Sequence, residues 1–219
     1  SEAVADDLKS LCPNAKYILN PHPLYNHFGE KISKDEACEK LNISKEKKTL
    51  LFFGLIRDYK GLDLLIEAMH NLGDNFQLVI AGECYGSFDK YQKMIDNSSA
   101  KERIHVYNQY IADDDIPQFF SAADALILPY RSATQSGVVS IAYHYNIPMI
   151  STPVGDFGQS IGKPQTGIVV TDINSDSIRK GIEELFSNDK YNLCLENIGK
   201  EKASLSWEKL TEKIEEMVR

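Results

Sequence analysis

The stretch that decides the fold covers residues 50–65 and reads LLFFGLIRDYKGLDLL. An apolar run ends at Gly54, and after Gly61 apolar residues recur at helical spacing, which predicts a buried strand, a tight turn and the start of a helix. The free N–H groups and the helix dipole at such a junction attract anions. Arg57 and Lys60 add two positive charges there. The combination favours a phosphate or diphosphate ligand, unless both cations are only solvated loop residues.

The composition is that of an ordinary globular protein. The chain has 219 residues, which is enough for one good core or for one domain with an appendage. It is 42% hydrophobic and 26% charged. No apolar stretch is long enough to cross a bilayer, and the acidic first residues do not read as a secretory leader. The net charge of −8 argues against a nucleic-acid partner. We expect a cytoplasmic protein. Peripheral membrane contact through a local basic face remains an alternative.

The cysteines and histidines form no metal-binding or redox motif. Four cysteines lie far apart without a C-x-x-C pair, and we expect them to be small buried residues in a reducing cytosol. Five histidines are scattered without the spacing of metal ligands. The sequence therefore predicts no metal site and no bound cofactor.

Short apolar runs alternate with helical patterns through the middle of the chain. Two runs, at 78–81 and 125–128, are continuously apolar, as in strands buried on both faces of a parallel sheet. The alternation predicts an α/β fold with a doubly wound parallel sheet, whose ligands bind beyond the carboxyl ends of the strands. The predicted strands are 49–53, 77–81, 104–107, 125–128, 148–151 and 167–170, and the helices between them are 62–71, 87–97, 114–122 and 136–145.

The two ends of the chain differ from its middle. The tail predicts helices at 175–187, 191–205 and 206–218, the last capped by Ser206. The beginning predicts a helix over 1–11, a strand from residue 15 into a rigid turn that ends at Pro23, and a helix over 33–41 with a capping box. Because the first helix and strand have no evident partner, we expect the chain to be the C-terminal part of a longer protein.

An ordered set of short motifs lies at the strand ends. Each motif is weak alone, but together they resemble the nucleotide-sugar-binding C-terminal domain of GT-B glycosyltransferases, in the retaining group known as family 4 or group 1. The motifs, in the family's order, are Gly54…Lys60-Gly61…Leu64-Leu65…Ala68, Leu78-Val-Ile-Ala-Gly82, Ile116-Pro-Gln-Phe-Phe-Ser-Ala-Ala-Asp124, Leu128-Pro-Tyr130, Ile147-Pro-Met-Ile-Ser-Thr-Pro-Val-Gly155 and Thr166-Gly-Ile-Val-Val170.

The resemblance implies a domain organisation and a reaction. Residues 49–190 would be a Rossmann-like donor-binding domain, 1–48 the end of a preceding domain with the crossover near His22 and His27, and 191–219 helices that pack back toward the N-terminal side. The donor would be a UDP-, GDP- or other NDP-sugar. The acceptor, a glycan or lipid-linked sugar in surface polysaccharide biosynthesis, would be held by the missing N-terminal domain, so this chain alone would not transfer sugar.

The resemblance also implies residue roles. Arg57 and Lys60 correspond to the basic pair that holds the donor diphosphate and stabilises the leaving nucleotide in place of a metal ion. The exit of the third strand would lie by the nucleobase, and the loop 132–138 with the following helix would receive phosphate and sugar hydroxyls. The residues implied to contact the donor are Gly54, Gly82, Glu83, Tyr107, Tyr110, Tyr130, Thr134, Gln135, Ser136, Gly137 and Val138, with Asp156 and Gln159 as further candidates.

One departure from the family pattern concerns two carboxylates. The family commonly carries a Glu-x7-Glu motif, whose first Glu touches the donor sugar and whose second binds ribose. Alignment on Pro148 places Ala133 and Ile141 at those positions, and alignment on Gly137 gives Thr134 and Ala142. Neutral side chains would have to replace charged acceptors, which weakens a hydroxyl contact by roughly 1 kcal/mol or more.

Three functions remain open at this point. The first is the donor-binding half of a glycosyltransferase. The second is a GT-B sugar-nucleotide epimerase, which would not need the turn at Lys60. The third is a non-catalytic sugar-nucleotide-binding or interaction domain. The missing carboxylates argue for it, and the retained Arg57 and Lys60 argue against it.

Overall fold

The computed structural model describes residues 2–18, 20, 23–24, 27–187 and 189–218, so that His22 lies outside the described residues. Its centre is a six-stranded parallel sheet in the order β3-β2-β1-β4-β5-β6. This confirms the predicted doubly wound α/β fold, and the strand order reverses between β1 and β4, where such folds bind ligands. The strands are β1 Lys48–Phe53, β2 Phe76–Ala81, β3 Ile104–Tyr107, β4 Ala125–Leu128, β5 Met149–Ser151 and β6 Gly167–Val169.

Helices cover both faces of the sheet because successive strand residues point to opposite sides. Leu51 and Phe53 belong to one core cluster, while Leu50 and Phe52 belong to the other. Burial on both faces explains why these strands are continuously apolar. The helices are α1 Glu2–Leu11, α2 Lys34–Lys40, α3 Leu62–His70, α4 Asp89–Asp96, α5 Ile116–Ala122, α6 Gly137–Tyr145, α7 Ser175–Leu185, α8 Lys190–Lys202 and α9 Trp207–Val218.

Two of the predicted helix caps are confirmed. The Glu36 N–H donates to the Ser33 hydroxyl at 3.2 Å, which is the Ser33 half of the predicted capping box, whereas the Glu36 carboxylate contacts the Lys40 ammonium at 2.9 Å. The Lys209 N–H donates to the Ser206 hydroxyl at 3.3 Å at the start of α9. Helices α4 and α5 each begin two residues after their predicted starts. At α5 the reason is that Asp113–Asp115 form a separate 3-10 turn.

Two predictions about the ends and the cysteines are wrong. The described residues 15–18 are not in a strand, and Tyr17 and Ile18 are exposed, because apolar residues form a strand only where a sheet edge pairs with them. Cys38 and Cys194 are buried as expected, but Cys84 is only partly buried and Cys12, directly after α1, is exposed. In the described part of the chain, no helix is long and apolar enough to cross a membrane.

Candidate functional site

A cleft of about 700 Å³ opens beyond the carboxyl ends of β1 and β4. Three segments build it: the turn after β1, the loop between β4 and α6, and a short piece that precedes α2. It is lined by Phe28, Tyr59, Lys60, Tyr130, Ile141 and every residue from Ser132 to Val138. The structure therefore brings together Lys60, Tyr130 and the predicted Thr134, Gln135, Ser136, Gly137 and Val138.

Two glycines allow the loops beneath the cleft to touch. Gly61 has a φ of +68°, and a Cβ at this position would lie 2.0 Å from the carbonyl oxygen of Pro129. Gly82 has a φ of +145°, and its Cβ would lie 2.2 Å from the carbonyl oxygen of Gly54. No other residue fits such approaches, which explains the glycines at these strand ends.

The central feature of the cleft is the buried side chain of Lys60, which is only 8% exposed. Its ammonium lies over the ring of Tyr130 at 5.6 Å from the centroid, and beside Gly54, where a built Cβ would be 3.1 Å from Nζ. No carboxylate pairs with it among the residues that the structure describes. Burial, with a smaller effect of the Arg57 charge, lowers the pKa of Lys60 to about 8. The amine is thus mostly protonated at neutral pH.

Arg57 begins the same turn but lies outside the cleft. It is exposed, and its guanidinium lies 4.6 Å from the centroid of the Tyr85 ring, a cation–π contact. The two loops that carry these side chains are joined by backbone bonds from the Ile56 N–H to the Glu83 carbonyl at 2.8 Å and from the Tyr85 N–H to the Ile56 carbonyl at 3.1 Å. The turn therefore presents one buried and one exposed cation.

The other wall of the cleft is the loop that leads into α6. This helix begins at Gly137, has no acidic residue in its first turn, and receives no side-chain cap from Ser136. Its first N–H groups and its positive dipole end are therefore available at the cleft. The Tyr130 hydroxyl lies 3.4 Å from the Ser136 Oγ, and burial raises the pKa of Tyr130 to about 12, so the phenol stays neutral.

Several predicted contact residues are not in the lining. The Tyr107 hydroxyl donates to the Leu41 carbonyl at 2.5 Å, and its ring packs on Phe119, so only its backbone carbonyl, which accepts from the Gly82 N–H at 3.0 Å, links it to the loops beneath the cleft. Tyr110 is 72% exposed beyond β3. Glu83, Asp156 and Gln159 also lie outside the lining, as do Gly54 and Gly82, which shape it from below.

Sequence reasoning missed three lining side chains. Tyr59 precedes Lys60 and packs edge-on against Tyr130, with ring centroids 6.0 Å apart. Ile141 is buried on α6 and was considered only as a place for the missing carboxylate. Phe28 precedes the region of alternating strands and helices, so no sequence pattern connected it with the cleft.

Of the residues that the structure describes in the lining of the cleft, none is acidic and Lys60 is the one charged side chain. Among the described residues, no group of three or more His, Cys, Asp or Glu side chains is placed to hold a metal ion. The cleft offers one buried cation, a helix N-terminus and neutral hydrogen-bonding groups. This chemistry suits an anionic ligand with hydroxyl groups.

Comparison with known families finds a match to the model of "Glycosyl transferases group 1" over residues 33–202. The chain is 26% identical over 160 residues to an uncharacterized glycosyltransferase of Methanocaldococcus jannaschii, which covers 73% of this chain and 44% of the relative. It is 24% identical over 168 residues to the lipopolysaccharide core biosynthesis mannosyltransferase LpsB of Rhizobium meliloti, covering 71% and 48%. The chain thus spans about half the length of these curated relatives.

The fold is also found in solved structures, among them WaaG, a glycosyltransferase involved in lipopolysaccharide biosynthesis, which superposes with a TM-score of 0.75 at 17% identity, covering 91% of this chain and 56% of the other. The crystal structure of Anabaena Alr3699/HepE in complex with UDP-glucose superposes with a TM-score of 0.72 at 14% identity, covering 89% of this chain and 56% of the other. At this identity the likeness concerns the fold alone. It confirms the Rossmann-like architecture expected for a GT-B domain.

Proposed function

This chain belongs to the group 1 glycosyl transferases, and from that membership we propose that its cleft binds the diphosphate of a nucleotide-sugar donor. The observation that carries the proposal is Lys60, a buried ammonium with no carboxylate partner in the described part of the chain, facing a helix N-terminus across the cleft. Each of these features attracts an anion, and a diphosphate can contact both. The family match favours this function over an epimerase or a non-catalytic domain.

The proposed chemical role of the two cations follows from their position. As the bond between sugar and diphosphate breaks, negative charge grows on the leaving nucleotide, and a prepositioned ammonium stabilises it without a metal ion. Arg57 is on the surface beside Tyr85, and its long side chain can turn from the ring to the outer phosphate oxygens. We propose a retaining, metal-independent transfer in which no side chain of this chain acts as a covalent nucleophile.

Neutral groups would recognise the rest of the donor. Thr134, Gln135 and Ser136 line the cleft next to the N-terminus of α6, and they can donate and accept hydrogen bonds to sugar or ribose hydroxyls. In the part of the chain that the structure describes, no carboxylate is paired with Lys60, so none competes with the diphosphate there. The base remains open between UDP, GDP and other nucleotides.

The acceptor side is proposed to lie outside this chain. The chain spans about half the length of its relatives, and the donor cleft is formed by its own residues. We therefore propose that the chain binds donor but transfers no sugar by itself. A glycan or lipid-linked acceptor in polysaccharide synthesis is suggested by the lipopolysaccharide relative, and the four free cysteines fit a cytoplasmic location.

Calorimetric titration with UDP, GDP and ADP tests the donor site. We expect at least one nucleoside diphosphate to bind, and Lys60→Ala and Arg57→Ala each to weaken it about tenfold or more, as for the loss of one charge-assisted hydrogen bond. Lys101→Ala, a surface change in the short turn before β3, is the matched control and should bind as the parent does. Unchanged affinity in folded Lys60→Ala and Arg57→Ala proteins would mean that both cations are solvated loop residues that do not bind the diphosphate.

A further inference from the structure

Arg131, directly after the cleft residue Tyr130, makes contacts that all converge on the turn carrying Lys60. Its Nη1 donates to Asp63 Oδ1 at 2.8 Å and to the Asp58 carbonyl at 3.0 Å, and its Nη2 donates to Asp63 Oδ2 at 2.7 Å. Its backbone N–H donates to the Tyr59 carbonyl at 2.7 Å. One residue thus holds the chain on both sides of Lys60.

These bonds act where the two loops already touch. Gly61 packs on the Pro129 carbonyl, and the Tyr59 and Tyr130 rings meet edge-on. Lys60 lies between these contacts, with its ammonium over the Tyr130 ring. Arg131 lies in the loop that follows β4, and this loop forms the opposite wall of the cleft. Its guanidinium therefore fixes the turn after β1 relative to that wall.

The same fork removes Arg131 from direct anion binding. Both of its Nη atoms are used, and the Asp63 carboxylate, whose side chain is 19% exposed, compensates its charge. Burial alone would raise the pKa of Asp63, but the hydrogen bond and charge of Arg131 lower it, so the pair stays ionised at neutral pH. Arg131 is also absent from the residues that line the cleft.

We infer that Arg131 and Asp63 together are a positioning pair, which holds the ammonium of Lys60 buried and facing the donor diphosphate without touching the donor. The inference rests on the proposed function for the identity of the anion. It assigns to an arginine at the edge of the site a role that differs from that of a phosphate ligand, and the two roles predict opposite effects of changing Asp63.

The decisive variants are Arg131→Ala, Asp63→Ala and the double change, with Arg131→Lys as a milder form that keeps the charge and loses the fork. Arg179→Ala is the matched control, since Arg179 is also an arginine paired with carboxylates, those of Asp176 and Glu183, but on α7 outside the lining of the cleft. We expect both single alanine variants to bind the nucleoside diphosphate about fivefold or more weakly, the double variant no more weakly than the singles, and the control to bind normally.

A second measurement needs no ligand. Lysines are reductively dimethylated with ¹³C-formaldehyde and a borane hydride donor, the Lys60 signal is assigned by its loss in Lys60→Met, and its titration is followed by NMR. The pKa of Lys60, lowered to about 8 by burial and by Arg57, should rise toward 10.5 in Arg131→Ala, Asp63→Ala and Arg131→Lys, because a loosened turn lets water reach the amine beside Tyr130. A general loss of stability would leave this titration unchanged in the folded protein.

Two results would overturn the inference. Tighter or unchanged diphosphate binding in Asp63→Ala would mean that Arg131, once released, contacts the phosphate itself. An unchanged Lys60 titration in the variants would mean that the pair does not position the amine. If the parent protein binds no nucleotide at all, the proposed function fails, while the titration still decides whether the pair holds Lys60.

Discussion

Replacing Lys60 with methionine should stabilise the unliganded protein while it abolishes the anion site. Methionine has a similar length and no charge that burial penalises. The drop in the pKa of Lys60 from 10.5 to about 8 corresponds to about 3 kcal/mol, by which the folded state disfavours the charged amine. The contact with the Tyr130 ring offsets roughly 0.5–2 kcal/mol of this. We expect Lys60→Met to raise the free energy of unfolding at pH 7 by about 1–3 kcal/mol.

The effect has a defined dependence on pH. The folded-state pKa lies below the unfolded one, so the penalty is fully present below pH 8 and disappears as pH rises toward 10.5. Burial raises the pKa of Tyr130, whose ring lies beside the amine, to about 12, so this phenol stays neutral through the window. The difference between Lys60→Met and the parent should therefore shrink between pH 8 and pH 10.5.

Urea unfolding at pH 7 and at pH 10 measures both quantities, and calorimetry with the nucleoside diphosphate measures the loss of binding. Lys202→Met is the matched control, because Lys202 donates to the His144 carbonyl at 2.9 Å and to Asn146 Oδ1 at 3.0 Å. Methionine cannot make those bonds, so the control should be less stable than the parent. If Lys60→Met is also less stable than the parent at pH 7, or if its stability advantage does not fall as pH rises, then burial of the Lys60 charge is not unfavourable to the folded state.

Two further outcomes concern the loops of the cleft. Gly61→Ala should destabilise the protein by roughly 3 kcal/mol or more in thermal unfolding, because its Cβ would lie 2.0 Å from the Pro129 carbonyl oxygen, whereas Gly199→Ala, in open space on α8, should be stabilising by about 1 kcal/mol. Equal effects of the two changes would contradict the packing of the loops. In calorimetry, Gln135→Ala should weaken the binding of a nucleotide sugar more than the binding of the matching nucleoside diphosphate. Equal losses of affinity would mean that Gln135 does not contact the sugar.

The sheet was predictable because burial on both faces leaves a strong sequence signal. Continuous apolar runs such as 78–81 end at glycine, and every strand of the described sheet lies within one residue of its predicted limits. The turn with Lys60 was also predictable, because it lies between the apolar run of β1 and the helical pattern of α3. The segment at 15–18 carries apolar residues too, but a strand also needs a partner, and pairing is a property of distant segments.

The side-chain contacts of the site were not predictable from local pattern. The fork of Arg131 reaches Asp63 across 68 positions, and Phe28 joins the cleft from a segment ahead of α2. Tyr107 was expected beside the ligand, but its hydroxyl is bound to the Leu41 carbonyl. A pattern of apolar residues indicates where a strand ends, whereas the direction of each side chain at that end depends on neighbours that only the folded chain supplies.

The position of Lys60 shows how the fold maintains an unfavourable group at its site. A free lysine side chain would turn into water, because burial of its charge without a partner is costly. Here the turn cannot open easily, since Gly61 packs on Pro129 and Arg131 binds the chain before and after the lysine. The amine is therefore held largely buried before a ligand arrives. If the proposed function holds, an incoming diphosphate would supply the balancing negative charge at a site that needs no reorganisation, which is the condition under which a charge contact contributes most to binding and to stabilising a leaving group.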